Sequence, residues 1–214
     1  VKLADGTRFE ATATANPILT SAPPAAFGFL GPTGEVALQG TVFDLASGRG
    51  LSIAGGAVNA SGAFLRTRAA DLRLAGVASG ELPVDAAAAP SVGSVPGDVN
   101  IAASQVRTLS SGALPPGRLV IRGGQLTVAD SIVRSTNGSP ADAPPVELIA
   151  AGDLTFTAGQ LLANAQGSGR GADIIARGEN VTFERLALVQ SWSVASGRAG
   201  DIDFAARGAL GINT

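Results

Sequence analysis

No cysteine, histidine, tyrosine or methionine occurs among the 214 residues, and there is one tryptophan. Without cysteine there is no disulfide, no zinc–thiolate site and no thiol nucleophile. Without histidine the Ser-His-Asp and Cys-His arrangements fall away, and so do the common hydrolytic zinc sites. Aromatic residues make up 4% of the chain, so a core has to be built from Val, Ile, Leu and Ala in thin layers. Charge of one sign is lacking too. The 15 basic and 17 acidic residues are mixed along the sequence and leave a net charge of −2, with no electrostatic footprint for nucleic acid or anionic lipid. The longest uncharged stretch, residues 11–34, carries Pro17, Pro23, Pro24 and Pro32 and cannot be a membrane span, so the chain is expected to be soluble. It opens on Val1 and is expected to have been processed, trimmed or cut from something longer.

What is plentiful is glycine (29 residues), proline (12) and apolar side chains (45%). They are arranged as a repeat. Four copies start Arg118-Leu-Val-Ile, Glu147-Leu-Ile-Ala, Asp173-Ile-Ile-Ala and Asp201-Ile-Asp-Phe, and each runs past a glycine-bearing corner into a second phrase. The second phrases are Gln125-Leu-Thr-Val, Asp153-Leu-Thr-Phe, Asn180-Val-Thr-Phe and Ala209-Leu-Gly-Ile. Leu126, Leu154, Val181 and Leu210 therefore recur at 154−126 = 28, 181−154 = 27 and 210−181 = 29. A fixed period of this size means stacked units, none of which buries its apolar face alone. Inside each phrase apolar residues alternate with others, which is the period of a strand, and no window shows helical spacing. Short strands that return to one place after each period predict an all-β chain: a right-handed parallel β-helix (a β-solenoid), as a fragment of a longer rod. Leu119, Leu148, Ile174 and Ile202 are expected in one inward column and Ile121, Ala150, Ala176 and Phe204 in the next. Val128, Phe156, Phe183 and Ile212 follow the Leu126 column.

The predicted organisation is an approach segment over residues 1–34, first turns over 35–82, a low-complexity excursion over 83–97, and the repeat turns over 98–214. Asp5-Gly6 predicts a tight hairpin near the start. Phe27, Phe29 and Leu30 are natural plugs for an open end of the coil. The spacing 72−51 = 21 predicts tighter early turns. Residues 137–145 read as a second, shorter excursion.

Four phrases in the first half carry a resemblance. Phe27-Gly-Phe-Leu, Val36-Ala-Leu-Gln-Gly, Leu51-Ser-Ile-Ala-Gly-Gly-Ala-Val and Leu72-Arg-Leu-Ala-Gly-Val-Ala-Ser-Gly-Glu resemble the filamentous haemagglutinin family of two-partner secretion exoproteins. The likeness runs phrase by phrase over residues 4–81, and beyond them only in style. Two features depart from the family. The upstream Asn-Pro motifs are missing, Asn16-Pro17 being the only such pair, and Ala69-Ala70 stands where Gly-Gly is usual. The resemblance implies a structural or adhesive segment, extracellular or on a bacterial surface, exported by an outer-membrane two-partner transporter. The implied partner is a receptor on host cells, bacteria or matrix, carbohydrate among the options. A polysaccharide-binding or polysaccharide-cleaving β-helix, and the stalk of a toxin-bearing exoprotein, are the alternatives.

Candidate contacts are few. Val120, Ile149 and Ile175 are apolar yet expected to point outward, which means either cover by an excursion or a lateral contact with another rod or a partner. Trp192 either stacks on a sugar ring or fills a corner of the core. Asp98, Glu147, Asp173 and Asp201 open successive repeats and are expected to stack. Such a ladder is either a row of solvated corner residues, a calcium site, or acids acting with an arginine on a polysaccharide. Arg49, Arg170 and Arg198, in Ser-Gly-Arg corners, either solubilise those corners or hold an anionic sugar. No catalytic residue, cofactor or metal site is assigned, and nucleic acid is not an expected partner.

Overall fold

A computed structural model describes residues 1–8, 22–29 and 33–213. Among these residues there is no helix; the strands form three sheets, each dominated by parallel pairing. The first sheet holds Leu51–Gly55, Leu72–Pro83, Leu119–Gly123, Val146–Ala150, Ile174–Gly178 and Ile202–Ala206. The second holds Glu35–Gln39, Ala57–Ser61, Val99–Ala102, Leu126–Ala129, Leu154–Thr157, Val181–Glu184 and Leu210–Asn213. The third holds Val42–Ser47, Phe64–Arg68, Gln105–Leu109, Ile132–Asn137, Gln160–Ala165 and Leu188–Ser193. From Glu35 onward the chain visits second, third and first sheet in rotation, and each strand pairs with the strand one circuit later. The predicted Leu126 column is the observed pairing: Leu126 with Leu154, Leu154 with Val181, Val181 with Leu210. Leu51 pairs with Leu72, as the tighter early spacing requires.

One copy is placed two residues away from its expected register. Val146, not Leu148, pairs with Leu119 and Ile174, while Leu148 pairs with Ile121 and Ala176. The expected alignment takes the charged residue before each apolar run, Arg118, Glu147, Asp173 or Asp201, as the start of a copy. Here the strand starts directly after Pro144-Pro145, and Glu147 sits within it. A shift of two keeps every side chain on its side of the sheet, so Leu148 still points inward and is fully buried.

All three sheets contribute to one apolar cluster, with Leu65, Val106, Val133 and Leu161 from the third, Leu126, Val128, Leu154 and Phe156 from the second, and Leu72, Leu119, Ile121 and Leu148 from the first. Phe156 and Phe183 lie one above the other, ring centroids 5.8 Å apart, and Phe183 stacks at 4.6 Å on Phe204, reached from the first sheet over the small Ala176. Phe156, Phe183 and Phe204 thus form one file where a small neighbour leaves room.

The corners are as regular as the strands. Between second and third sheet one position has φ near +50° in every circuit: Gly40, Gly62, Ala103, Asp130, Ala158 and Arg185. This left-handed conformation turns the chain sharply and costs a non-glycine residue roughly 1 kcal/mol or more. Pairing runs through the bend, since Gly62 N–H donates to Ala102 O, Ala103 to Ala129, Asp130 to Thr157 and Ala158 to Glu184. One residue further on, Ser104 Oγ accepts from Ala63 N–H and Ser131 Oγ from Ser104 N–H, so these buried hydroxyls serve the circuit below. Ala69, in the Ala-Ala pair that replaces an expected Gly-Gly, is also left-handed, at φ 47°.

At the start, Gly6 (φ 87°) makes the predicted turn and Lys2 bridges to Arg8. Pro24–Phe29 does not plug an end of the core. It pairs antiparallel with the far half of Leu72–Pro83, leaving Phe27 exposed while Phe29 packs on Ala75, Val77 and Leu82. Residues 9–21 and 30–32 of the expected approach, Leu30 among them, lie outside the described residues.

Candidate functional site

With the cores enclosed, function has to reside on the outer faces. On the first sheet the strand Leu72–Pro83 is followed by a segment that stays out of the rotation and returns over the sheet, where Val95–Pro96 pairs antiparallel with Val77 and Ser79. Arg73, which is itself buried, donates from Nη1 to Pro83 O at 2.7 Å and Asp85 O at 3.0 Å, and Arg122 donates from Nη1 to Ala88 O at 2.7 Å. Val120 stands in register with Arg73 and is wholly buried, outside the core cluster. Its true row is Val120, Glu147, Ile175 and Asp203. Ile149 belongs instead with Arg122 and Arg177, a consequence of the two-residue shift. Ile149 is half-buried beside Val77, Pro90, Val95 and Pro96, in an apolar groove of about 330 Å³. Ile175 is half-buried, and neither isoleucine points into the core.

Glu147 is the hub of this face. Its carboxylate takes Arg118 Nη1 at 2.6 Å and Arg122 Nη2 at 2.8 Å, at 11% side-chain exposure. Two cations share one nearly buried anion, and through Arg122 the pair also holds the excursion down.

The expected ladder of Asp98, Glu147, Asp173 and Asp201 does not form. Asp173 and Asp201 stack at the entry to the first sheet, where Asp173 Oδ1 accepts the Asp201 N–H at 2.7 Å and Asp71 Oδ1 accepts the Arg118 N–H at 2.8 Å. Burial alone would raise the Asp173 pKa, but the Arg170 guanidinium and the Asp201 amide outweigh it and hold it below the usual value. Asp98 belongs to another corner, at the entry to the second sheet. There Asp98 Oδ1 accepts Gln125 N–H, Gln125 Oε1 accepts Asp153 N–H, Asp153 Oδ1 accepts Asn180 Nδ2, and Asn180 Oδ1 accepts Ala209 N–H. These oxygens cap backbone and amide donors of the following circuit. Among the described residues no three carboxylates converge. Of the Ser-Gly-Arg arginines, Arg170 is held by Asp173 and Asp201, whereas Arg49 and Arg198 are exposed.

The third sheet carries what sequence reasoning missed. Arg66, Arg107 and Arg134 occupy one register position on three adjacent strands. Their neighbours Leu65, Val106 and Val133 are core residues, so the three guanidinium groups lie on the outer face. Asp44, in register on the preceding strand, binds Arg66 through Nε at 2.8 Å and through Nη2, and Arg68 through Nη1 at 2.6 Å. Those two arginines hold its carboxyl well below the usual range. Arg107 and Arg134 have no carboxylate within ion-pair distance among the described residues, and their Nε atoms are buried without a partner. Phe64 lies beneath Arg66 at 5.1 Å and Arg107 at 6.0 Å.

Trp192 shares this face. It pairs with Asn164 on the neighbouring strand and is half-buried, so it does not fill a corner of the core. Gln190 and Leu162 continue the arginine row toward it.

No family model, no curated protein and no solved structure matches the chain.

Proposed function

We propose that the rotation through three sheets is a right-handed parallel β-helix, part of a longer rod. In this reading the chain is a structural and adhesive segment of a filamentous-haemagglutinin-like exoprotein, displayed outside the cell after export through an outer-membrane two-partner transporter. The observation that carries the proposal is the parallel pairing, circuit on circuit, of the strands that rotate through the three sheets from Glu35 onward, continued through the corners by hydrogen bonds. Parallel crossovers are right-handed in nearly all proteins, which supports the hand. The four phrases between Phe27 and Glu81 support the family.

A rod of this kind works by reach and by many weak contacts. Arraying it raises avidity by a factor of about 10² to 10⁴ without any new contact. The test is attachment of beads bearing the chain to bacterial cells, cultured epithelial cells and matrix-coated surfaces. Dense beads are expected to attach, and soluble chain to compete poorly. Dense beads that attach no better than beads coated with an unrelated β-protein would contradict the adhesive reading.

A further inference from the structure

We propose that the outer face of the third sheet binds a carboxylated polysaccharide, whose successive uronate groups are taken by Arg107 and Arg134, with sugar rings running on toward Trp192. This deepens the adhesive reading by naming a ligand class, and it rests on that reading only for its purpose.

The pattern for the interaction is already on this face. Asp44 shows how an arginine of this row takes a carboxylate: side-on, from Nε and Nη2 of Arg66, with Arg68 closing the other side. The next two positions of the row repeat the arginine and omit the acid. Arg107 and Arg134 stand one strand apart, in register and without an acid partner among the described residues; their Nε atoms are buried, which leaves the Nη ends for an incoming carboxylate. Burial first, and then the charges of Arg134 and Arg66, hold the Arg107 guanidinium below its ordinary pKa. Like charges at the strand spacing of ~4.8 Å repel unless an anion lies between or upon them.

The spacing selects the anion. On an extended peptide, side chains of one face recur every ~6.6 to 6.8 Å, which overshoots the ~4.8 Å row. A polyuronate carries one carboxylate on every ring and turns about flexible glycosidic bonds, so it can bring carboxylates to both arginines. A planar carboxylate also fits the guanidinium fork through two parallel hydrogen bonds. Beyond Arg134 the row turns neutral through Leu162 and Gln190, with Asn164 and Trp192 alongside. The exposed Gln190 amide and the half-buried Trp192 indole next to a cationic row suit the hydroxyls and apolar faces of sugars.

Trp192, the only tryptophan, is a built-in reporter. Its fluorescence is titrated with oligogalacturonate in the intact chain, in R107Q/R134Q, and in R49Q/R198Q, which removes two exposed arginines elsewhere. Dextran, dextran sulfate and poly-glutamate are the comparison ligands, and circular dichroism checks that each variant is folded. Oligogalacturonate is expected to bind and to perturb Trp192, with at least about tenfold weaker binding in R107Q/R134Q, unchanged binding in R49Q/R198Q, and no binding of dextran. Dextran sulfate binding more tightly than oligogalacturonate overturns the carboxylate assignment. Poly-glutamate binding equally well overturns the glycan assignment. Equal loss in both double variants, or none in either, overturns the site. Bead attachment to cells with no oligogalacturonate binding sinks this site and leaves adhesion standing; oligogalacturonate binding without cell attachment does the reverse.

Discussion

Replacing Phe156 by alanine probes the enclosed core most sharply. The ring is fully buried in the second sheet, between Val128 and Phe183 in its column, and it meets Phe183 at 5.8 Å. Truncating a buried phenylalanine costs about 3 to 5 kcal/mol, from lost burial together with the cavity left behind. The aromatic pair accounts for about 0.5 to 1.5 kcal/mol. The upper half of the range is expected, because the neighbours belong to hydrogen-bonded strands on both sides and cannot collapse into the space. Thr155, next door on the same strand, faces outward, and Thr155→Ala is expected to stay within about 0.5 kcal/mol. Urea unfolding followed by far-UV circular dichroism measures both. At about 2 to 4 °C per kcal/mol for a chain of this size, Phe156→Ala should lower the melting temperature by roughly 6 to 20 °C. A loss below about 1 kcal/mol, or one no larger than that of Thr155→Ala, would refute the reasoning, because the ring would then not be inside.

Two other changes test the outer face and the corners. Glu147→Gln leaves Arg118 and Arg122 without their shared anion at a mostly buried position and is expected to cost about 1 to 3 kcal/mol. It should also speed trypsin cleavage at Arg122 and loosen residues 84–94, read by mass spectrometry of the fragments; an unchanged cleavage pattern would show that the excursion is held otherwise. Ala158→Gly relieves a left-handed residue at φ 51° and should raise stability by a few tenths to about 1 kcal/mol, whereas the same change at a strand position should lower it.

The second sheet could be read from the sequence because its phrases are short, alternate cleanly and carry the same Thr between inward residues, as at Thr127, Thr155 and Thr182. Val146 could not be placed in its column, since a proline pair starts that strand and the acid that opens other copies falls inside it. Asp98 and Asp173 look alike in sequence but cap different corners, and only the pairing tells them apart. The arginine row escaped notice because residues 83–97 separate Arg66 from Arg107, hiding the common offset from Leu65, Val106 and Val133. Trp192 depends on a single residue. The corner Arg185-Leu186-Ala187 is one longer than Ala158-Gly159, and a one-residue change in a strand's entry exchanges its inner and outer faces. Outer rows made by side chains far apart in the chain have no local signature, whereas inner columns repeat theirs every circuit.

The chain's lack of cysteine permits a direct test of the circuit itself. Thr127 and Thr155 are in-register neighbours on the outer side of the second sheet, and so are Thr155 and Thr182. Their Cα atoms should lie at the ~4.8 Å strand spacing, inside the range of about 4.4 to 6.8 Å that a disulfide spans. Cysteines at 127 and 155, or at 155 and 182, should oxidise to an intramolecular disulfide in the folded chain, while cysteines at 127 and 182, two strands apart, should remain free thiols. Ready closure of the 127–182 pair, or failure of both neighbouring pairs in a folded protein, would contradict the stacking of one circuit on the next.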